Sequence, residues 1–121
     1  FDVWSQPVDL GGLHPACCGV VHYGGLGLSS LALAGGLPQV MVSTDLEKYF
    51  TATRIEKAGL GCHIGMNNMK GERLLQAIRY IRGHDGIKNH TLDWAQQNHS
   101  SFDPPGAQMA ARRLEAFAAE L

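Results

Sequence analysis

Short apolar runs and longer amphipathic stretches take turns along the chain. Phe1 to Ser5, Cys17 to His22 (with its apolar heart at Cys18 to Val21), Gln39 to Val42 and Cys62 to Ile64 are compact runs that read as strands. Between them the apolar period lengthens. Leu28 to Ala34 is small and apolar and reads as a buried helix, under way by about Ser29 and stopped by Gly35-Gly36. Glu47 to Ala58 can share Tyr49 or Phe50, Ala52, Ile55 and Ala58 on one face, with Gly59 as its C-terminal cap. Gly71 to Arg82 gathers Leu74, Leu75, Ile78 and Ile81 on one side as core. Gly83 to Gly86 is a turn, followed by helices over Ile87 to His99 and Pro105 to Leu121. Gln6 to Pro15, broken by Pro7, Gly11 and Gly12, is a connector, and Ser43 to Leu46 is a loop. Strands alternating with helices predict βαβ units: an α/β fold whose parallel sheet is covered by helices on both faces.

In such sheets ligands bind at the carboxyl ends of the strands. The run Val20-Val21-His22-Tyr23-Gly24-Gly25-Leu26-Gly27-Leu28-Ser29-Ser30 places a histidine and three glycines at such an end, just before a helix. Glycines let backbone approach a ligand closely, and the free N–H groups of a helix start favour an anion. A glycine loop alone is usually just a turn. Here the Ser43 to Lys48 segment falls at the end of the next strand, so two segments converge, with His22 as an added donor. This chemistry suits a diphosphate.

Length and composition narrow the field. The 121 residues fit one domain, enough for a core without staples, and the formal net charge of −1 offers no footprint for nucleic acid or an anionic membrane. No apolar run is long enough to span a bilayer, and no signal peptide is recognised. Cys17, Cys18 and Cys62 are an odd set with an adjacent pair, a poor disulfide framework, which fits a reducing cytoplasm. No pair of them has metal-ligand spacing, so they read as small core residues and no metal site is expected. His14, His63, His84, His90 and His99 are scattered and carry no assignment. The chain opens on Phe1 inside an apparent strand, as a piece of a longer protein would.

Five segments in order carry a resemblance: Trp4; His22 to Ser29; Ala34-Gly35-Gly36-Leu37-Pro38-Gln39; Glu47-Lys48-Tyr49-Phe50-Thr51-Ala52; and Ala58-Gly59-Leu60-Gly61. Together they resemble the C-terminal, donor-binding half of GT-B nucleotide-sugar glycosyltransferases. Within these the chain is similar to the UDP-glycosyltransferase superfamily, which includes bacterial enzymes that glycosylate antibiotics, lipids and other small aglycones. That family has a His-His-Gly-Gly-x-Gly-Thr-Thr motif, a Gly-x-Pro-Gln step into the next strand and an Asp-Gln pair before an Asn-Ala helix. The likeness runs from about Trp4 to Gly61, and the tail from Gly71 onward agrees in pattern only.

The resemblance implies a Rossmann-like sheet in which residues 1–121 are the C-terminal part of a nucleotide-sugar domain, with the N-terminal acceptor domain outside them. It implies an inverting transfer from a UDP- or dTDP-sugar to a hydroxyl of a small-molecule or lipid acceptor. No metal or cofactor is required, and the general base comes from the acceptor domain, so no catalytic residue is expected here. By position, His22, Gly24, Gly25, Leu26, Gly27 and Ser29 would hold the diphosphate, Trp4 the nucleobase, and Glu47 and Lys48 the sugar. Trp4 is equally consistent with plain packing, Glu47 and Lys48 with a solvated helix start, and Asp45 is a rival for the sugar. Tyr23 replaces the second histidine, Leu28 a threonine, Ser43 a common proline, and Glu47-Lys48 the Asp-Gln pair. The last change predicts a donor other than plain UDP-glucose. Two other readings stand beside this one. One is a donor-binding subunit of a two-chain sugar transferase, inactive alone. The other is an unrelated dinucleotide domain, against which Gly25-x-Gly27 lacks a third glycine in register.

Overall fold

A computed structural model describes residues 5–6, 17–102 and 106–120. Three parallel strands stand in the order β1 (Val20–His22), β2 (Gln39–Ser43), β3 (Gly61–Gly65). Helix α1 (Leu26–Ala34) links the first two and α2 (Leu46–Lys57) the second two. A 3-10 turn at Met66–Asn68 leads to α3 (Gly71–Gly83) and α4 (Asp85–Gln97), and after a second 3-10 turn at His99–Ser101 comes α5 (Gly106–Ala119). The predicted α/β class is the one observed. The expected strand at Phe1 to Ser5 and the Gln6 to Pro15 connector lie almost wholly outside the described residues, as does Trp4.

Successive residues of a strand face opposite sides, and β2 divides the core accordingly. Val40 joins Ile64, Ile81 and Ile87, with Leu74, Ala77 and Ile78 of α3 packed against them. Met41 joins Ala52, Ile55 and Leu60, with Leu33 of α1 and Trp94 against them. Right-handed crossovers in one direction along a sheet leave both connecting helices on the same face, so α1 and α2 share the Met41 side and α3 covers the other. Helix α4 crosses the amino ends of the strands. Leu92 packs at Gly36, just before β2, and His90 Nε2 lies 2.9 Å from the Ala58 carbonyl oxygen, just before β3. Among the described residues the carboxyl ends border a cavity.

Element boundaries moved for local reasons. The first strand was expected from Cys17 but pairs only from Val20, whose N–H donates to the Pro38 carbonyl and which stands beside Gln39, the first residue of β2. Among the described residues, 17–19 lie ahead of that first pairing. Helix α1 starts at Leu26, two residues before the expected Leu28, because Gly25 is extended (φ −63°, ψ 142°) and its carbonyl accepts from Ser29 N–H. The expected Ser43 to Leu46 loop shrinks: Ser43 completes β2 and Asp45 caps α2. The Gly83 to Gly86 turn reduces to His84 alone between two helices. Of the expected apolar faces, Ala52, Ile55, Leu74, Ile78 and Ile81 pack inward, while Tyr49, Phe50 and Leu75 are exposed. Among the described residues no helix is long and apolar enough to cross a membrane, and no group of three His, Cys, Asp or Glu could hold a metal ion. All three cysteines are free; Cys62 packs half-buried against the Val40 cluster, whereas Cys17 is half-buried and Cys18 is exposed, so the core reading fails for Cys18.

Candidate functional site

The glycine segment forms the turn from β1 into α1. Gly24 has φ +79°, a conformation that glycine reaches without Cβ strain, and its N–H donates to His22 Nδ1 at 3.0 Å. That bond fixes the tautomer: Nδ1 accepts, so Nε2 carries the proton and donates to Gln39 Oε1 at 2.8 Å. Gln39 Nε2 in turn donates to the Ser29 carbonyl at 3.3 Å. A buried polar chain therefore ties the end of β1, the start of β2 and the first turn of α1. His22 is 8% exposed, and both ring nitrogens are engaged within the chain. The signal for Gln39 was in the sequence, as the one polar residue opening an otherwise apolar strand.

Burial pushes the His22 imidazole below its ordinary value, with the Gln39 bond acting the other way. Folding therefore keeps the full benefit of a neutral ring above pH 6.5, the unperturbed value. Below it the unfolded chain takes a proton that the folded chain resists, and stability falls until the lowered folded value is passed. The wild-type urea midpoint is expected to drop more steeply between about pH 7 and about pH 5 than that of His22→Gln. Parallel slopes for the two proteins would contradict this.

Beyond Gly24 the first turn of α1 is open. Ser29 N–H makes the first intrahelical bond, to Gly25, so the amides of Leu26, Gly27 and Leu28 have no acceptor inside the helix. Among the described residues no side chain caps this end, and no acidic residue sits in its first turn. A Cβ built on Gly25 or Gly27 meets nothing within 4 Å among the described residues. Leu26 is two-thirds exposed. Ser29 departs from expectation. It is 1% exposed, and its hydroxyl has no partner among the described residues. Because α1 begins at Leu26, Ser29 falls one turn in and shares the buried side with Ala32.

The start of α2 lies against this turn, with a Cβ on Gly24 falling 3.4 Å from the Lys48 carbonyl oxygen. Asp45 Oδ1 accepts from Lys48 N–H at 3.0 Å, and Asp45 Oδ2 pairs with the Lys48 ammonium, which also donates to Thr44 at 3.2 Å. The expected sugar pair thus divides. The Lys48 ammonium is tied back to Asp45 and Thr44, Glu47 is exposed, and Asp45 borders a cavity of about 340 Å³ at the carboxyl ends of β2 and β3. Ser43 lines the same cavity and bonds to His63, a pair that sequence reasoning left unassigned.

The Lys48 ammonium, then its backbone N–H, hold the Asp45 carboxyl below the usual carboxylate range. The charged cap stabilises α2 above that ordinary range, and the benefit fades as pH falls through the lowered value. Asp45→Ala is expected to melt below wild type at neutral pH, with the gap narrowing as pH falls below about 4. A gap constant across that range would show that the carboxylate charge is not the cause.

A family model described as "Erythromycin biosynthesis protein CIII-like, C-terminal domain" matches residues 4–117. The UDP-glucuronosyltransferase 3A1 of Xenopus laevis is 32% identical over 106 residues, covering 88% of this chain and 20% of that protein. Among solved structures, the glycosyltransferase VinC in complex with dTDP superposes with a TM-score of 0.79 at 22% identity, over 93% of this chain and 28% of that one. The Streptomyces sp. SF2575 glycosyltransferase SsfS6, complexed with thymidine diphosphate, gives a TM-score of 0.63 at 28% identity, over 75% of this chain and 24% of that one. The chain thus spans a fifth of the curated relative and about a quarter of each solved structure.

Proposed function

The chain belongs to the erythromycin biosynthesis protein CIII-like C-terminal domain family, a glycosyltransferase family, and from that premise we propose that it binds the nucleoside diphosphate of a sugar donor. The donor class is a UDP- or dTDP-sugar, in keeping with the thymidine diphosphate carried by SsfS6. The transfer is inverting, to a hydroxyl of a small-molecule or lipid acceptor, and the acceptor and its base belong to the rest of a longer protein, the acceptor domain.

One observation carries the reading: three amides at the start of α1 with no acceptor inside the helix, beside Gly25 and Gly27, where a Cβ would meet nothing within 4 Å among the described residues. A diphosphate bound there accepts from Leu26, Gly27 and Leu28 and lies at the positive end of the helix. Charge grows on the diphosphate as the bond to the anomeric carbon breaks, so these donors stabilise the transition state more than the ground state. In this arrangement His22 works from behind. Its Nδ1 holds the Gly24 amide and its Nε2 holds Gln39, which fixes the loop. Its N–H reaches a ligand only by releasing Gln39.

The test is a titration of isotope-labelled protein with dTDP, UDP and NAD. Saturable shifts at the amides of residues 24–29 are expected with dTDP or UDP and not with NAD. Shifts confined to other regions, or an equal response to NAD, would overturn the assignment.

A further inference from the structure

Ser43 and His63 form a side-chain pair in which the Oγ and Nε2 atoms are 2.7 Å apart. Ser43 ends β2, and the parallel register sets it beside Gly65 of β3, where a Cβ would meet nothing within 4 Å. The missing side chain at position 65 opens the cavity next to the serine, and Asp45, Asn67 and Asn68 add polar groups to its wall. His63 is braced on the other side. The Tyr49 ring stands edge-on to it at 5.1 Å between centroids, and its backbone N–H donates to Glu56 Oε1 at 2.8 Å.

We propose that Ser43, positioned by His63, reads a hydroxyl of the transferred sugar in this cavity. The inference rests on the donor reading above and extends it to sugar choice. A serine hydroxyl has one proton to give and two lone pairs to receive. Whichever of the pair donates, the bond to His63 uses one of these and leaves the others for a ligand. Ser43 is 5% exposed and keeps its bond to His63, so a ligand that covers it without a hydrogen bond leaves only its remaining hydrogen-bonding capacity unmet. Such a site rejects a sugar lacking the matching hydroxyl more strongly than an apolar wall would. The placement also fits. The glycine turn that carries the diphosphate abuts Lys48, and the cap residue of the same helix, Asp45, borders the cavity. A proline at position 43, common in the related superfamily, has no hydroxyl to offer.

The experiment measures affinities of the intact protein carrying this chain for dTDP, dTDP-glucose and dTDP-glucose analogues that each lack one sugar hydroxyl. Ser43→Ala is expected to weaken dTDP-glucose by about fivefold to tenfold while leaving dTDP unchanged. Ser43→Thr keeps a hydroxyl and retains most of the affinity. His63→Phe keeps a ring against Tyr49 without the bond and shows the same selective loss. One deoxy analogue binds wild type more weakly than dTDP-glucose does, and that difference vanishes in Ser43→Ala. Equal losses for dTDP and dTDP-glucose, or no loss for either, would overturn the proposal while leaving the diphosphate site in place. Failure of wild type to bind dTDP or UDP at all would remove the donor reading and this one together.

Discussion

Replacing Gly27 with valine is expected to abolish nucleotide binding in a protein that folds as well as wild type. Gly27 is the second residue of α1, and a Cβ there meets nothing within 4 Å among the described residues. Glycine inside a helix costs about 0.5–1 kcal/mol relative to alanine, so a side chain at this position does not weaken the helix. Cβ atoms of a helix tilt toward its N-terminus. The added isopropyl group therefore projects toward the start of α1, where three amides have no acceptor inside the helix. A phosphate kept from two of those donors loses charge-assisted hydrogen bonds of about 1.5–3 kcal/mol each, a weakening of roughly a hundredfold or more. Affinity for dTDP and UDP by calorimetry, set beside the urea midpoint, is the measurement. Retained binding in a stable Gly27→Val protein would move the diphosphate away from α1.

Gly61→Ala is expected to do the opposite, weakening the fold at a position away from the glycine turn. Gly61 stands beside Gln39 where β2 and β3 begin, and a Cβ on it would collide with the Gln39 carbonyl oxygen and lie 3.2 Å from the Met41 methyl carbon. The first contact is with backbone in a central strand, so no rotamer change relieves it. The two strands must separate at the start of their ladder, where Gln39 N–H bonds to the Leu60 carbonyl at 3.3 Å. Overpacking of this kind costs about 3 kcal/mol, a large share of the 5–15 kcal/mol that holds an ordinary domain together. Gly71→Ala is the control. It opens α3, a Cβ there meets nothing within 4 Å, and stability should be unchanged or raised by up to about 1 kcal/mol. Urea unfolding of the two variants separates the cases, and a Gly61→Ala midpoint equal to wild type would refute the contact.

These two glycines show what was legible in the chain. Both stand next to apolar runs; the sequence marked Gly27 as a place where backbone comes close to something, and Gly61 only as part of a segment that carries the resemblance. Sequence does not say whether that something is the protein's own strand, as at Gly61, or empty space, as at Gly27. The same limit governs the histidines. His22 stood out because it closes an apolar run ahead of three glycines, and the structure does bring it to the loop, but engaged on both nitrogens. His63 sits in a run too short to distinguish it, and its partner Ser43 is twenty residues away. Asp45 was legible only as a rival to Glu47. Its role as helix cap and cavity wall depends on where α2 starts.

The order of strands and helices, the two-faced apolar pattern of β2 and the glycine turn into α1 were determined by the sequence alone, because they depend on periodicity and on residues near each other in the chain. Tertiary structure alone decided that Gln39 links His22 to Ser29, that Ser29 turns inward and that Ser43 meets His63. Hydrogen bonds between neighbouring strands depend on register, and register follows from how a whole sheet packs against its helices, not from any one segment.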